Sequence, residues 1–209
     1  HEVRALAALG RVGELLQRID ERIASASGAW PDAGELMRMA ASELRWHGHT
    51  DAAAEIAGRA VAWHEQQPRE NAAARVAYAR ALIAAGRSDD AARVLRSLSP
   101  RGAATPFTTA LLAFASAGAG HHAEARALAD EAGAWTPARG LTGPLNTMLG
   151  DHTVLRAATA AFLGDADSAV RLLRQAEADG LRFSPDVLCN PAFERLKQDE
   201  AFRAWSRAR

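Results

Sequence analysis

The sequence predicts an all-α fold, a solenoid of stacked helix–turn–helix repeats that ends in a C-terminal capping helix. Two observations carry this prediction. A glycine followed by a short polar turn recurs at intervals of 38, 38, 34 and 44 residues, at Gly10, Gly48, Gly86, Gly120 and Gly164. An alanine follows five residues after four of these glycines, at Ala53, Ala91, Ala125 and Ala169. Spacings near 34 residues are typical of stacked helical hairpins.

Each repeat is expected to consist of two helices, because small or apolar residues recur at three- and four-residue intervals on both sides of each glycine. The glycine is expected to end the first helix in a left-handed C-cap, which it adopts without a Cβ clash. Asp51, Ser88, Asp89 and Asp165 are expected to start the second helix as N-caps or first-turn residues. The alanine five residues on is expected at the helix crossing, where a small side chain permits close approach.

The repeats resemble the tetratricopeptide repeat. In the first complete unit the resemblance rests on Met37, Ala40, Ala41, Leu44, Gly48, Ala53, Ala57 and Ala60. In the third it rests on Leu112, Ala113, Gly120, Ala125, Ala129, Ala132 and Pro137. The fourth unit departs from the pattern, since Arg156 occupies a usually apolar position and residues 140–150 form an insertion, so we expect a longer or irregular first helix there. The resemblance implies a right-handed solenoid that binds other proteins.

The chain is expected to form a single tetratricopeptide-like solenoid over residues 1–209. It is divided into a partial N-terminal repeat (1–33), four repeats (34–180) and a C-terminal cap (181–209). Residues 185–205 resemble a cap of bacterial tetratricopeptide regions attached to signalling proteins, through Pro191, Phe193, Leu196, Asp199 and Phe202. Phe193, Leu196, Phe202 and Trp205 are expected along one helical face that covers the last repeat. Almost no first helix precedes Gly10, so we expect a piece of a longer protein.

The composition excludes several classes of function. Basic and acidic residues number 25 each, which argues against a dedicated nucleic-acid binder. No apolar stretch approaches the roughly 20 residues that span a bilayer, so no membrane insertion is expected. The single cysteine, Cys189, permits no internal disulfide and predicts a cytoplasmic location, with an extracytoplasmic domain of a membrane-anchored protein as the alternative. Lys197 is the only lysine, and this arginine and alanine richness indicates a bacterial origin.

We find no motif that predicts an enzyme, a metal site or a cofactor. His47, His49 and Asp51 begin like a histidine-rich metal motif, but the glycine between the histidines is the repeat turn and no further ligand follows. His121, His122 and Glu124 form another cluster, but adjacent histidines point apart on a helix, so a structural turn is expected there. Residues 64–68 begin like a zinc-protease motif and residues 165–176 like a calcium loop, and each lacks a required residue. Cys189 is expected to be a small packed residue of the cap connection and not a nucleophile.

The resemblance places the first helices of the repeats along a concave groove. By register from the turn glycines, the groove positions are Glu35, Arg38, Ser42 and Arg45, then Ala73, Val76, Arg80 and Ile83, then Phe107, Ala110, Phe114 and Ala117. Of these, Arg38, Ser42, Arg45, Arg80, Phe107 and Phe114 are predicted to bind a peptide with an acidic residue beside a hydrophobic one, since guanidinium forks bind carboxylates. The alternative is that the arginines are solvated helix residues and the phenylalanines belong to the core.

Three classes of function remain open. The first is a non-enzymatic protein-interaction or regulatory scaffold, as part of a larger bacterial signalling protein. The second is a small-ligand sensor, in which the insertion forms a pocket with Trp135, Leu141 and Met148. The third is a self-association module in which the first unit or the cap pairs with a second copy to form a homo-oligomer.

Overall fold

Every regular element in the described part of the chain is helical. The computed structural model describes residues 2–25, 31–98, 105–134, 151–180 and 190–207. Ten α-helices in these ranges form five successive pairs, called hairpins below, each joined by one of the predicted glycine turns: α1 Glu2–Ala8 and α2 Val12–Ala24, α3 Ala33–Trp46 and α4 Thr50–Glu65, α5 Ala72–Ala84 and α6 Ser88–Arg96, α7 Pro106–Gly118 and α8 His122–Ala134, α9 Asp151–Phe162 and α10 Ala166–Ala178. A 3₁₀ helix, Pro191–Leu196, and α11, Glu200–Arg207, follow them. The prediction of an all-α repeat fold is confirmed.

The five turns share one hydrogen-bonding pattern around a glycine with positive φ, between 67° and 88°. In each turn the N–H after the glycine donates to the carbonyl five residues earlier at 2.8 or 2.9 Å: Arg11 to Leu6, His49 to Leu44, Arg87 to Leu82, His121 to Ser116 and Asp165 to Ala160. These are Schellman motifs, which satisfy the last carbonyls of the first helix and require a left-handed residue. The predicted glycine C-caps are confirmed.

The second helices begin with the acidic residues that the sequence indicates. The Asp165 side chain accepts a hydrogen bond from the Ser168 backbone N–H at 3.0 Å and caps α10. Asp51 and Asp89 lie in the first turns of α4 and α6, where a negative charge favours the helix dipole. Ser88 is the first residue of α6. The local sequence therefore sets both sides of these three turns.

The alanines five residues after the turn glycines are fully buried, as predicted. Ala53, Ala91, Ala125 and Ala169 are each 0% exposed. In the first hairpin the same position is occupied by Leu15, which is also fully buried. Small side chains therefore lie at this position in four hairpins, whereas the first hairpin accommodates a leucine there.

The residue contacts divide the chain into two compact units, His1–Ala91 and Ala92–Arg209. In the first unit α3 contacts α1 and α5, and α2 and α4 each pack on the first helix of the next hairpin. In the second unit α9 contacts both α7 and α8. Each unit thus shows the neighbour-to-neighbour packing of stacked hairpins. The division of residues 1–209 into a partial repeat, four repeats and a cap within one domain stays a prediction.

The cap differs from the expected single helical face. Phe193 and Leu196 belong to the 3₁₀ helix, which packs on α9, whereas Phe202 and Trp205 belong to α11, which packs on α10. The break arises because Asp199 caps α11, accepting a hydrogen bond from the Phe202 N–H at 2.9 Å. All four side chains are nevertheless buried, with the Phe202 ring centroid 5.7 Å from that of Phe193 and 5.6 Å from that of Trp205.

Arg156 is accommodated without distortion of α9, which is α-helical from Asp151 to Phe162, so the expected irregular helix is not observed in these residues. Its Nε donates to the Ala129 carbonyl of α8 at 2.9 Å. The guanidinium lies where a Cβ at Gly133 would be. Burial lowers the Arg156 pKa, against the attraction of Asp130. A glycine on the neighbouring helix therefore makes the space for this cation.

Candidate binding surface

The central feature of the first unit is one carboxylate shared by two arginines. Asp32 caps α3 by accepting a hydrogen bond from the Glu35 N–H at 2.8 Å, which places Glu35 in the first turn. One turn later, Arg38 donates from Nε and from a terminal nitrogen to the two Glu35 carboxylate oxygens, both at 2.8 Å. Arg80 of α5 approaches Glu35 Oε1 at 3.3 Å. These three residues are called the Glu35 cluster below.

The three side chains of the Glu35 cluster differ in their exposure to solvent. The Glu35 side chain is 8% exposed, that of Arg38 is 14% exposed, and that of Arg80 is 31% exposed. Burial opposes ionisation of Glu35, but the hydrogen bonds from Arg38 and the charges of Arg38, Arg80 and His64 outweigh it and lower the Glu35 pKa. Glu35 is therefore ionised at neutral pH, and Arg80 is the member most accessible to a partner.

The structure brings the Arg38 and Arg80 side chains together at Glu35, whereas the Ser42 and Arg45 side chains bond to backbone carbonyls. The Ser42 hydroxyl is buried and donates to the Arg38 carbonyl within α3 at 3.1 Å. Arg45 donates to the Ala84 carbonyl at the end of α5 at 2.9 Å, a position that also favours a cation because of the helix dipole. Both side chains therefore contact backbone carbonyls within the first unit.

Half-buried apolar side chains accompany Arg80 on α5. Val76, four residues before Arg80, and Ile83, three residues after it, lie on the same helical face by spacing, and each is of intermediate exposure. Arg80 is thus flanked along the helix by apolar side chains that remain partly open to solvent. This arrangement places a partly exposed arginine on the same helical face as two half-buried apolar residues.

His64 of α4 packs beside the Glu35 cluster. Its ring is buried, with centroids 4.9 Å from Trp63 and 6.4 Å from Tyr78. Burial lowers the His64 pKa, and the charge of Arg69 adds to this, whereas Asp32 and Glu35 act in the opposite direction. The imidazole is therefore neutral at neutral pH and serves as a packed ring between α3, α4 and α5.

The two predicted phenylalanines lie in the second unit. Phe114 is buried in α7, and its ring centroid is 5.3 Å from that of Phe162 in α9. Phe107 is half-buried in the first turns of α7. Phe114 thus contributes to the packing of two hairpins. The binding role of all six residues, Arg38, Ser42, Arg45, Arg80, Phe107 and Phe114, stays a prediction.

Sequence reasoning identified the arginines but missed Glu35 as their common counter-ion. The spacing of Glu35 and Arg38, three residues apart on one helix, is a signal for an ion pair that was available in the sequence. The approach of Arg80 from another helix has no comparable local signal. The residues of the alternative small-ligand pocket, Trp135, Leu141 and Met148, and Cys189 lie outside the described residues.

The described residues hold neither a cluster suited to a metal ion nor a helix suited to a membrane. Among residues 2–25, 31–98, 105–134, 151–180 and 190–207, no three His, Cys, Asp or Glu side chains are grouped to hold a metal ion. No helix in the part of the chain that the structure describes is long and apolar enough to cross a membrane.

Comparison with protein families gave two matches. One family model described as "Tetratricopeptide repeat" matches residues 46–106. A second model with the same description matches residues 106–131 and 150–175. Together they cover more than half of the chain, including four of the five hairpins in whole or in part. No curated protein and no solved structure matched the chain.

Proposed function

The chain is a tetratricopeptide repeat protein, and from this premise we propose that it is a non-enzymatic scaffold that binds an acidic protein segment at the Glu35 cluster. Tetratricopeptide repeats generally mediate protein–protein interaction. The segment we propose carries a carboxylate beside hydrophobic side chains. The single observation that carries the proposal is the Arg80 side chain, which is 31% exposed beside Glu35 and shares its face of α5 with the half-buried Val76 and Ile83.

The chemistry of this surface favours a carboxylate. Arg80 lies near Glu35 Oε1, and a guanidinium presents several N–H donors in a planar fork whose geometry suits carboxylates. The apolar neighbours Val76 and Ile83 can pack against hydrophobic side chains of the same peptide. A peptide with alternating acidic and hydrophobic residues therefore matches both features of the surface.

The test uses two labelled octapeptides, one of alternating glutamate and leucine and one of alternating glutamine and leucine. Fluorescence anisotropy measures their binding to the full chain and to the variant Arg80→Gln. We expect Arg80→Gln to weaken binding of the glutamate peptide by roughly tenfold, as for loss of a charge-assisted contact. A neutral replacement is chosen because a glutamate at this site would lie beside Glu35.

Arg96→Gln is the matched control. Like Arg80, Arg96 is a partly exposed arginine beside a glutamate: its side chain is 42% exposed and pairs bidentately with Glu124, but it lies on α6, a second helix of a hairpin. Arg96→Gln should therefore bind the glutamate peptide as the unaltered chain does. The proposal is wrong if the unaltered chain binds neither peptide, or if the two substitutions weaken binding equally.

The proposal extends to the context of the chain. We propose that it belongs to a larger bacterial signalling protein, with a kinase, cyclase or DNA-binding module preceding it. The resemblance of residues 185–205 to the cap of such proteins supports this. Sequencing the complete gene tests it, since an open reading frame without any such module contradicts the proposal.

Self-association is the second candidate function, and one observation favours it. Leu9 is 68% exposed and Ile23 is 40% exposed, and both belong to the first hairpin and its turn. Burial of such apolar side chains against a second copy lowers the free energy of the pair. Sedimentation velocity over a range of concentrations should then show a dimer that Leu9→Lys dissociates. A monomer at all concentrations contradicts this candidate.

A further inference from the structure

The carboxylate of Glu35 occupies the same guanidinium groups that the proposed partner would use. Arg38 directs two N–H donors to Glu35, and Arg80 approaches Oε1 of the same carboxylate. We infer that Glu35 is a specificity-determining residue, an internal carboxylate that competes with acidic partners for Arg80. This inference rests on the proposed function, because it concerns the selectivity of the same surface.

The geometry indicates that Glu35 weakens the binding of a carboxylate to Arg80. The Glu35 side chain is almost fully buried, so water screens its charge poorly, and its lowered pKa keeps that charge in place at neutral pH. A carboxylate that bonds Arg80 from the solvent side lies within one guanidinium width of the Glu35 oxygens. The two negative charges therefore repel each other across the arginine that both contact.

A neutral acceptor experiences much less of this repulsion. An amide or hydroxyl oxygen can accept from Arg80 without bringing a net charge near Glu35. Glu35 therefore lowers the affinity for acidic peptides and leaves that for neutral peptides nearly unchanged. The consequence is a surface that accepts an acidic segment only when additional contacts, such as leucine side chains on Val76 and Ile83, contribute to binding.

The experiment measures the ratio of the two octapeptide dissociation constants in Glu35→Gln. Glutamine keeps an oxygen that can accept from Arg38 and removes the charge. We expect the glutamate peptide to bind about tenfold more tightly and the glutamine peptide to change by less than about twofold, because one nearby charge has been removed. The gain should shrink as sodium chloride is raised from about 50 to 500 mM.

Glu124→Gln is the matched control, because it removes one negative charge from the bidentate Arg96–Glu124 pair on the second helices α6 and α8. It should leave the binding of both peptides unchanged. A similar gain in Glu124→Gln shows that net charge alone is responsible and overturns the inference, as does an unchanged ratio in Glu35→Gln. Either result leaves the proposed function intact. If the unaltered chain binds neither peptide, the proposed function and this inference are both wrong.

A measurement without substitution covers the case in which Glu35→Gln does not fold. In the unaltered chain labelled with ¹³C at glutamate Cδ, the Glu35 signal is titrated with acid in sodium sulfate and in sodium chloride of equal ionic strength. Anion binding at Arg80 and ionisation of Glu35 oppose each other reciprocally, so sulfate should raise the Glu35 titration midpoint. An identical midpoint in the two salts overturns the inference.

Discussion

The imidazole of His64 lies directly over Gly34, in the space that any other side chain at position 34 would occupy. A Cβ built on Gly34 would be 2.5 Å from Nε2 of His64 and 2.7 Å from Cε3 of Trp63. The contact joins the first turn of α3 to the last turn of α4, next to the Glu35 cluster. The absence of a side chain at Gly34 thus allows close packing of the two helices beside the candidate surface.

Substitution of Gly34 by alanine should therefore destabilise the chain although alanine is the better helix former. The new Cβ overlaps a packed histidine and a tryptophan, and such overpacking costs about 1–3 kcal/mol. Gly58→Ala is the control, since a Cβ at Gly58 in α4 meets no atom within 4 Å, and it should stabilise by up to about 1 kcal/mol. Urea denaturation measures both, and equal effects would contradict the packing explanation.

The buried His64 predicts a pH dependence of stability. Burial places its folded-state pKa below the ordinary value of 6.5, so the unfolded chain binds more protons than the folded chain as the pH falls below that value. The contribution of the neutral His64 to stability is thus fully present above pH 6.5 and is lost as the pH falls through the folded-state pKa. His64→Gln should flatten the unfolding free energy between about pH 5 and 7.

Three charged groups face this histidine and enter the prediction: Asp32 and Glu35 from the start of α3, and Arg69 from the segment between α4 and α5. Glu35 itself adds stability above its ordinary value of 4.5 that is lost at lower pH, so its contribution falls in a separate range. His122→Gln serves as the control, because this histidine is exposed at the start of α8. The same flattening in both variants would contradict a specific role of His64.

The position five residues after the turn glycine should tolerate little enlargement in the second hairpin. Ala53 is fully buried, whereas its neighbour Ala54 is exposed. Ala53→Leu should cost about 1–3 kcal/mol by forcing α3 and α4 apart, and Ala54→Leu should change stability by less than about 0.5 kcal/mol. Thermal denaturation distinguishes the pair. Conversely, Leu15→Ala should cost about 2–5 kcal/mol, because the first hairpin is packed around a leucine.

The cap should contribute to stability through its buried rings. Phe202 is 1% exposed and contacts both Phe193 and Trp205. Phe202→Ala should therefore cost about 3–5 kcal/mol, whereas alanine at the exposed neighbour Arg203 should have little effect. Hydrogen exchange should show the loss first in α9 and α10, on which the cap packs. Unchanged protection there would mean that the cap does not support the last hairpin.

Much of the fold follows from local sequence, and the candidate surface follows only in part. The glycine turns were predictable because a Schellman motif depends on a single residue with positive φ and on its immediate neighbours. The cap was predicted as one face because the periodicity of Phe193, Leu196 and Phe202 does not reveal that Asp199 starts a new helix. Arg80 was assigned to the groove by register, but its distance from Glu35 depends on how α3 packs against α5.

The sequence by itself thus determined the repeat, the ends of the helices and the buried alanines, because these depend on residues a few positions apart. Only the tertiary structure decided which charged and aromatic groups meet: Arg80 with Glu35, His64 with Gly34, and Arg156 with Gly133. Those pairs lie on different helices, and their distances depend on interhelical packing, which no local pattern of residues specifies.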